Sequence, residues 1–223
     1  VWIGEGRSRE AIRPFFEWLG DARNQIEAVA MDMNSAFDLE VKAQCPNAVV
    51  VYDLFHVVAK YGREVMDRVR VDQANQLRDD KVARKVIKSS RWILLRNADN
   101  LEPEQAVKLD ELLAANAFLT TVYVLKDQLK TLWFAESETT ARSAWREWAG
   151  MALGSGIDAL VRFAKKLEPY MEGIVSSALH RLNTSVLEGM NNRIKVIKRM
   201  AYGYRDTDYF FLKIRAAFPG KVR

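Results

Sequence analysis

Three carboxylates occupy positions where their type and spacing could do chemistry. Asp32 and Asp53 each directly follow a short apolar run that predicts a buried strand, and Glu188 lies early in a predicted helix. Parallel sheets bind ligands beyond the carboxyl ends of their strands, so an acid at such an end is a candidate ligand. Asp32 is the stronger candidate of the two strand-end acids. The alternative for either residue is a cap on the helix or turn that follows.

The predicted helix around Glu188 has a mixed polar face. At 100° per residue this face comprises Glu188, Asn192, Lys195 and Arg199. One carboxylate therefore lies in a row of amide and basic groups. Such a face can be a solvated surface, on which each i,i+4 pair contributes a few tenths of a kcal/mol. The acid can also complete a capping box with the Thr-Ser pair that precedes it.

The residues next to this acid are unusual for a helix. Asn191 and Asn192 are poor helix formers, and Gly189 directly follows Glu188. Small and amide side chains leave room for another group beside the carboxylate, but the spacing alone leaves all three explanations open. The helix also carries an apolar stripe that we expect to pack on a core, formed by Leu187, Met190, Ile194, Ile197 and Ala201.

Cations are concentrated in the last part of the chain. Between residues 188 and 223, nine Lys or Arg stand against three acids. A local excess of cations neutralises phosphates, and this term dominates DNA affinity. Tyr202 and Tyr204 could stack on an unpaired base, although core packing is the commoner role of such aromatics. The candidate DNA-binding residues are Arg193, Lys195, Lys198, Arg199 and Arg205.

The elements that must position these groups begin with an alternation of strands and helices. Apolar runs predict strands at residues 1–3, 26–31 and 48–52. Helices are predicted after Ser8 and after Asn34 or Ser35, the second with Phe37, Leu39 and Val41 facing inward. This order predicts an α/β layer with a parallel pair of strands.

The remainder of the chain is predicted to be helical. From His56 to Leu182 the pattern is helical almost throughout, so the protein is expected to be helix-rich overall. Four tryptophans at helical spacings are expected in the core: Trp92, Trp133, Trp145 and Trp148.

Composition excludes several classes of protein. The chain has 223 residues, of which 49% are hydrophobic and 28% charged, and this is an ordinary composition for a soluble globular protein. No apolar run approaches the roughly 20 residues of a membrane span, and we expect a cytoplasmic protein. The single Cys45 and two histidines do not form a usual zinc site. A net charge of +5 is by itself only weak evidence for a nucleic-acid partner.

A longer motif gives a more specific indication. The segment from Asn183 to Arg199 reads NTSVLEGMNNRIKVIKR and is followed by AYGYRD and then YFFLKIR. Together these segments resemble the C-terminal signature of the ISL-three family of bacterial insertion-sequence transposases. The resemblance implies a DDE-type enzyme with a ribonuclease-H-like core, in which Glu188 is the last acid of the triad. The run that ends at Asp32 matches the second acid.

The same resemblance implies further roles and a domain layout. Asp53 and His56 match a D-x-x-H pattern and would support the site, as would Asn191 and Asn192. The fold class is α/β, a partial ribonuclease-H-like core of about three strands with a large all-helical insertion. Residues 1–55 form the first part of the core, 56–182 the insertion, and 183–223 the core-completing helix and basic tail.

One departure from the family concerns the first acid, which lies on an earlier strand that this sequence does not contain. The zinc-ribbon and helix-turn-helix regions of the family are absent as well. We therefore expect the C-terminal part of a transposase, from a truncated or decayed gene, that binds DNA but is inactive alone.

In the intact enzyme, Asp32, Glu188 and the missing acid would hold two Mg²⁺ (or Mn²⁺) ions for DNA strand cleavage and strand transfer. The implied partners are transposon ends and target DNA, bound by a homodimer in the bacterial cytoplasm near the nucleoid. One alternative is a non-catalytic remnant that only binds DNA or dimerises. Another is a helix-rich interaction protein in which Glu188 is a cap and the basic tail is solvated.

Overall fold

A computed structural model of the chain describes residues 2–182 and 184–219. In these residues it contains thirteen α-helices and two β-strands. The longest of these helices has 17 residues, and none of them combines the length and the apolar composition that crossing a lipid bilayer requires. The elements are α1 (Arg9–Leu19), β1 (Ala28–Met31), α2 (Ser35–Gln44), β2 (Val49–Tyr52), α3 (Leu54–Tyr61), α4 (Asp67–Gln76), α5 (Lys81–Ser89), α6 (Arg91–Leu95), α7 (Pro103–Ala114), α8 (Ala117–Thr131), α9 (Glu138–Gly154), α10 (Asp158–Leu167), α11 (Met171–Val175), α12 (Ser185–Met200) and α13 (Thr207–Ala217).

Shorter helical segments connect some of these elements. A π-helical segment joins α3 to α4, and its first residue, Gly62, lies against Leu95. A Cβ atom at Gly62 would come within 2.9 Å of Leu95 Cδ2, so a larger residue here would require the Leu95 side chain to move. The segment is Gly62–Met66, and the 3₁₀ segments are Gly20–Gln25, Ala98–Asn100, Leu132–Phe134, Glu168–Tyr170 and Ser176–Ala178.

The chain divides into two compact units. The terminal unit comprises Val1–Val50 and Leu182–Arg223, and the helical unit comprises Val51–Arg181. The boundary after Val50 falls inside β2. Within the helical unit, α3 through α11 pack together around a core that includes the fully buried Leu119, Val122 and Leu160.

The two strands pair in parallel, which confirms the α/β prediction at this coarse level. The backbone N–H of Val49 donates to the carbonyl oxygen of Glu27 at 2.8 Å. The predicted strand at residues 1–3 is wrong for Trp2 and Ile3, which lie outside any strand, and Val1 lies outside the described residues. Trp2 instead packs its ring on Phe15 of α1, with 5.5 Å between ring centroids. A strand needs a paired neighbour to satisfy its backbone, and an apolar run cannot specify that neighbour.

Local signals fixed the starts of the first helices. The Ser8 side chain caps α1 by accepting from Ala11 N, and the Asn34 side chain caps α2 by accepting from Ala36 N and Phe37 N. Both starts confirm the sequence prediction. The prediction of which α2 residues face inward is wrong for Leu39, which is 53% exposed.

The buried side of α2 carries an ionic cluster instead. The Glu40 side chain is 1% exposed and accepts from Arg9 Nε at 2.9 Å and Arg13 Nε at 3.0 Å, both on α1. Gln44 Nε2 donates to the same carboxylate at 3.0 Å. These donors, Arg13 foremost, lower the pKa of Glu40 to about 2. The cluster therefore joins α1 to α2 through charge as well as through apolar contact.

Replacing Glu40 by Gln should make the terminal unit less stable and less sensitive to acid. Because the folded pKa of about 2 lies below the ordinary value of 4.5, the carboxylate stabilises the folded state fully above about pH 4.5. That contribution is lost as the pH falls towards about 2. We expect the difference in melting temperature between wild type and E40Q, followed by circular dichroism, to shrink over this range. Glu17→Gln, on the exposed side of α1, is the matched control, and a difference that does not change with pH would contradict the assignment.

The core of the helical unit confirms two of the four tryptophan predictions. Trp148 is 1% exposed and Trp145 is 6% exposed, and Trp148 Nε1 donates to the carbonyl oxygen of Leu125 at 2.9 Å. Trp133 is half-buried and donates to the carbonyl oxygen of Tyr52. Trp92 is 67% exposed, so its core assignment is wrong. The helix that carries Trp92 is only five residues long and buries Leu94, which leaves the other side of the helix in solvent.

Candidate active site and nucleic-acid interface

Asp32 lies directly after β1, whose last residue, Met31, is buried. The side chain of Asp32 is exposed, and its carbonyl oxygen accepts from the backbone N–H of Asn34 at 2.7 Å. This tight turn leads into α2. The N-cap of α2 is Asn34, so Asp32 is not the N-cap of this helix. Asp32 is therefore an accessible acid at the carboxyl end of a parallel strand.

Glu188 is in the first turn of α12. Its side chain is exposed and makes no hydrogen bond or ion pair within residues 2–182 and 184–219. The N-cap of α12 is Thr184, which makes no side-chain capping bond, and the residue three positions after it is Leu187. The capping-box explanation for Glu188 is therefore wrong for Thr184. The carboxylate is exposed, and a capping box with Ser185 stays a prediction, because the Ser185 side chain lies outside the part of the chain that the structure describes.

The neighbours of Glu188 leave its surroundings open. A Cβ atom at Gly189 would meet nothing within 4 Å, so packing does not require glycine at this position. Asn191 and Asn192 are exposed, and Asn192 Oδ1 accepts from Lys195 Nζ at 3.4 Å. A glycine costs about 1 kcal/mol in a helix relative to alanine. The open surface beside Glu188 is consistent with space for another group.

The two main candidate acids belong to the same compact unit. Asp32 and Glu188 are far apart in the sequence, yet both lie in the terminal unit. In the part of the chain that the structure describes, no three His, Cys, Asp or Glu side chains are grouped so that they could hold a metal ion. A metal site built on Asp32 and Glu188 thus needs further oxygen ligands.

Asp53 and His56 lie in the helical unit. The Asp53 carboxylate accepts from Phe55 N at 2.8 Å and caps α3. The half-buried imidazole of His56 lies edge-on to the Phe55 ring, with 5.5 Å between centroids. Asp53 therefore has the structural role that a strand-end acid often has. Support of the site by Asp53 and His56 stays a prediction.

Three of the predicted DNA-binding residues line one recess. Lys195, Lys198 and Arg199 surround an open recess of about 560 Å³ together with Tyr202 and Gly203. The Tyr202 side chain is fully exposed. Three cations beside an exposed aromatic ring are suited to bind a phosphate backbone and to stack on a base.

The end of α12 gives the recess its shape. The chain turns at Tyr202 (φ 51°) and Gly203 (φ 101°), both with left-handed backbone conformations. The N–H of Gly203, beyond the end of α12, donates to the carbonyl oxygen of Lys198 at 2.9 Å. This bond satisfies a carbonyl in the last turn of the helix. Lys198 and Arg199 also lie where the negative end of the helix dipole favours cations.

The other two predicted DNA-binding residues do not line this recess. The guanidinium of Arg193 lies 5.4 Å from the centroid of the Phe218 ring. Arg205 is exposed in the loop before Asp206, whose side chain caps α13. Their roles in DNA binding stay predictions.

The apolar stripe of α12 is not packed on a core. Leu187 is 54% exposed, Ala201 is exposed, and Met190, Ile194 and Ile197 are only half-buried. The expectation that this stripe lies in a core is therefore wrong for the described structure. Hydrophobic periodicity identifies the apolar side of a helix but cannot show that a covering surface is present.

Comparison with known proteins shows to which class of protein this chain belongs. A family model described as "Transposase", of the ISL-three DDE type, matches residues 1–214. The chain therefore belongs to this transposase family, and the resemblance found in the sequence is confirmed.

Individual relatives agree with this class. The chain is 63% identical over 224 residues to the transposase for insertion sequence element IS1001 of Bordetella parapertussis. This match covers 100% of the chain and 55% of the relative. The transposase for IS1557 of Mycobacterium tuberculosis is 26% identical over 227 residues, covering 92% of the chain and 51% of the relative. The chain thus spans about half the length of the curated relatives it matches. No solved structure is significantly similar to it.

Proposed function

We propose that this chain is the part of a DNA transposase that carries two of its catalytic acids, Asp32 and Glu188. The reaction is phosphoryl transfer at a DNA diester, in which catalysis depends on positioning and charge neutralisation. The observation that supports this most directly is the presence of both exposed acids in the terminal unit, which also carries the cationic recess.

The donor chemistry of the two acids fits Mg²⁺ or Mn²⁺. Such hard cations prefer carboxylate, phosphate and water oxygens, and both acids offer accessible carboxylates. When bound, two divalent ions would activate the attacking oxygen and stabilise the leaving one. Asp32 and Glu188 would supply ligands, and the remaining oxygens would come from a third acid and from the DNA.

The basic recess would hold DNA next to this site. Lys195, Lys198 and Arg199 would neutralise backbone phosphates, and Tyr202 would stack on an unpaired base. Arg193 and Arg205 would extend the positive surface, and Asn191 and Asn192 would orient groups beside Glu188. In this proposal the recess first binds DNA at the end of the transposable element and later binds the target DNA.

The fold proposed for the whole enzyme is a ribonuclease-H-like core with a helical insertion. The parallel strands ending near Asp32 and Asp53 would belong to that core, and residues 56–182 would be the insertion. Pairing of two element ends suits a homodimer, and the enzyme would act in the bacterial cytoplasm at the nucleoid. This is the layout that the family resemblance implies.

A second candidate function is DNA binding without catalysis. It is favoured by the finding that no three potential metal-binding side chains are grouped in residues 2–182 and 184–219. If so, the chain alone would bind DNA or dimerise without cleaving.

The two candidates differ in a direct experiment. The 223-residue chain is expected to bind duplex DNA with an affinity that falls steeply with salt, and to leave that DNA uncut in Mg²⁺. A full-length protein that contains this segment is expected to nick DNA at the ends of its element in Mg²⁺. Fluorescence anisotropy measures the first property and gel analysis of labelled ends the second.

Two triple variants with the same change in net charge test whether DNA binds at the recess on α12. Replacing Lys195, Lys198 and Arg199 together by Gln should weaken duplex binding and reduce the slope of log K against log [salt] by about 2.7. Arg68, Lys130 and Lys166, which form ion pairs in the helical unit, are the control triple for the same change in net charge. Salt-independent binding, or none, would count against the proposed function. Failure of the full-length protein to cut would favour the second candidate.

A further inference from the structure

The helical unit carries a second cationic surface on α5. The segment from Arg78 to Arg91 holds six Lys or Arg and two acids. Lys81, Lys85 and Lys88 follow one another at steps of four and three, so they lie on one face of α5, and all three are exposed. We name these three lysines the α5 stripe.

Several cations of the helical unit form ion pairs within the described residues. Arg68 bonds Asp72 at 3.0 Å, Lys130 bonds Asp127 at 2.9 Å, and Lys166 bonds Glu64 at 3.0 Å. By contrast, no lysine of the α5 stripe forms an ion pair or side-chain hydrogen bond within the described residues.

Two acids near α5 have other partners. The Asp80 carboxylate accepts from Val82 N and Ala83 N and caps α5. Asp67 bonds Arg70 at 2.7 Å and Arg91 at 3.4 Å. The stripe therefore keeps a local positive charge that the folded unit does not use.

The apolar residues of α5 favour packing in the protein over insertion into a lipid surface. Ile87 is buried, and α5 packs against α4 in the helical unit. A helix that binds a membrane surface inserts a broad apolar face into the lipid, whereas α5 buries Ile87 in the protein and exposes only Val82 and Val86 as large apolar side chains.

The chemistry of the stripe also favours nucleic acid over protein. Protein interfaces are depleted in lysine and rely on aromatic or arginine anchors. Lysines bind phosphates as point charges on flexible stems. From Lys81 to Lys88 the helix rises about 10 Å, which is close to three nucleotide steps of one DNA strand at about 3.4 Å each.

We propose that the α5 stripe is a second DNA-backbone contact, separate from the recess on α12, through which the helical unit binds duplex phosphates without reading sequence. This inference rests on the proposed function for the choice of DNA as the anion. The α5 stripe would give the helical unit its own DNA-binding surface, in addition to the cations of the terminal unit.

The test compares three triple variants of the 223-residue chain in anisotropy titrations with a labelled duplex over a range of NaCl concentrations. For Lys81→Gln, Lys85→Gln and Lys88→Gln combined, we expect affinity to fall about tenfold or more and the salt slope to flatten by about 2.7. The control triple replaces Arg68, Lys130 and Lys166 by Gln and should leave the slope within about 1 of wild type. Circular dichroism checks that each variant is folded.

Each outcome has a definite meaning. If the stripe variant binds like wild type while the α12 triple binds more weakly, the inference is overturned and the proposed function stands. If wild type shows no salt-dependent binding, both are overturned. If the stripe and control triples lose the same amount of DNA affinity, net charge alone explains the loss and the inference is overturned. Tighter binding of an acidic polypeptide than of the duplex would make the stripe a protein-docking surface and also overturn it.

Discussion

Replacing Asp32 by Asn, or Glu188 by Gln, in a full-length protein that contains this segment is expected to lower Mg²⁺-dependent DNA cleavage by about 100-fold or more. Loss of an outer-shell partner of a metal already costs about 10- to 100-fold, and a direct carboxylate ligand should cost at least as much. The amide keeps the shape of the side chain but removes the charge that a divalent cation needs. Cleavage is measured on labelled element ends.

The readout must separate metal binding from DNA binding and folding. Glu188 is exposed and makes no side-chain bond within the described residues, so its amide variant should melt and bind DNA like wild type. Melting curves and DNA-binding titrations of the Asp32 variant separate an effect on folding from an effect on cleavage. Asp208→Asn and Glu17→Gln are matched controls, since both are exposed acids of the terminal unit. They should cleave at the wild-type rate. Because loss of a metal ligand weakens metal affinity, high Mn²⁺ should restore part of the activity of the Asp32 and Glu188 variants but not exceed wild type.

The outcomes test the catalytic role of each acid separately. If the two variants cleave normally, these acids are not ligands and the assignment of the catalytic acids is wrong, whatever the family. If wild type cleaves and only the Glu188 variant fails, Asp32 has another role at the strand end. Equal loss in the control variants would indicate a general effect of surface charge.

Sequence reasoning succeeded where one short segment determines the outcome. The run ending at Met31 places Asp32 at a strand end, and the caps at Ser8 and Asn34 follow from side chains that bond to nearby backbone. The position of Glu188 early in a helix also follows from local pattern. These features depend on neighbours within a few residues, so the sequence contains the information.

Features that depend on distant partners were missed or wrongly placed. Leu39 is exposed because the buried side of α2 is held by Glu40, whose two arginine partners lie on another helix. Trp92 is exposed because its helix is too short to bury more than Leu94. In each case, the hydrophobic pattern gives the type of side chain but not the surface that it meets.

The cationic surfaces illustrate the same division. The sequence singles out three cations of the recess on α12 because they lie in a motif with a family resemblance, but it does not predict the recess or its closing turn at Gly203. The α5 stripe was not foreseen, since cations at steps of three and four are common on solvated helices. Its signal is that these lysines form no ion pair within residues 2–182 and 184–219, which only the folded structure reveals.

Replacing Lys126, a buried cation of α8, is expected to change the stability of the helical unit. The residue is 1% exposed, and its ammonium donates to the carbonyl oxygens of Leu94 at 2.9 Å and Arg96 at 3.2 Å. These carbonyls lie at the end of α6, where a helix has no donors of its own. The ammonium also lies 3.9 Å from the centroid of the Tyr123 ring. We expect Lys126→Met to lower the free energy of unfolding by about 1–3 kcal/mol, because buried acceptors lose their donor.

The dependence of this loss on pH identifies its cause. Burial lowers the pKa of Lys126 from 10.5 to about 8 in the folded protein. Below pH 8 the lysine is charged in both states, and the folded state bears the cost of burying the charge. Between pH 8 and 10.5 the unfolded state binds more protons, so the stability contributed by Lys126 rises with pH. The loss caused by Lys126→Met, measured by urea unfolding, should therefore grow from pH 8 to pH 10. Lys130→Met, one turn along α8 and with its Asp127 partner exposed, should lose less and show no such growth. A Lys126→Met protein more stable than wild type would mean that the cost of the buried charge exceeds its bonds to the two carbonyls.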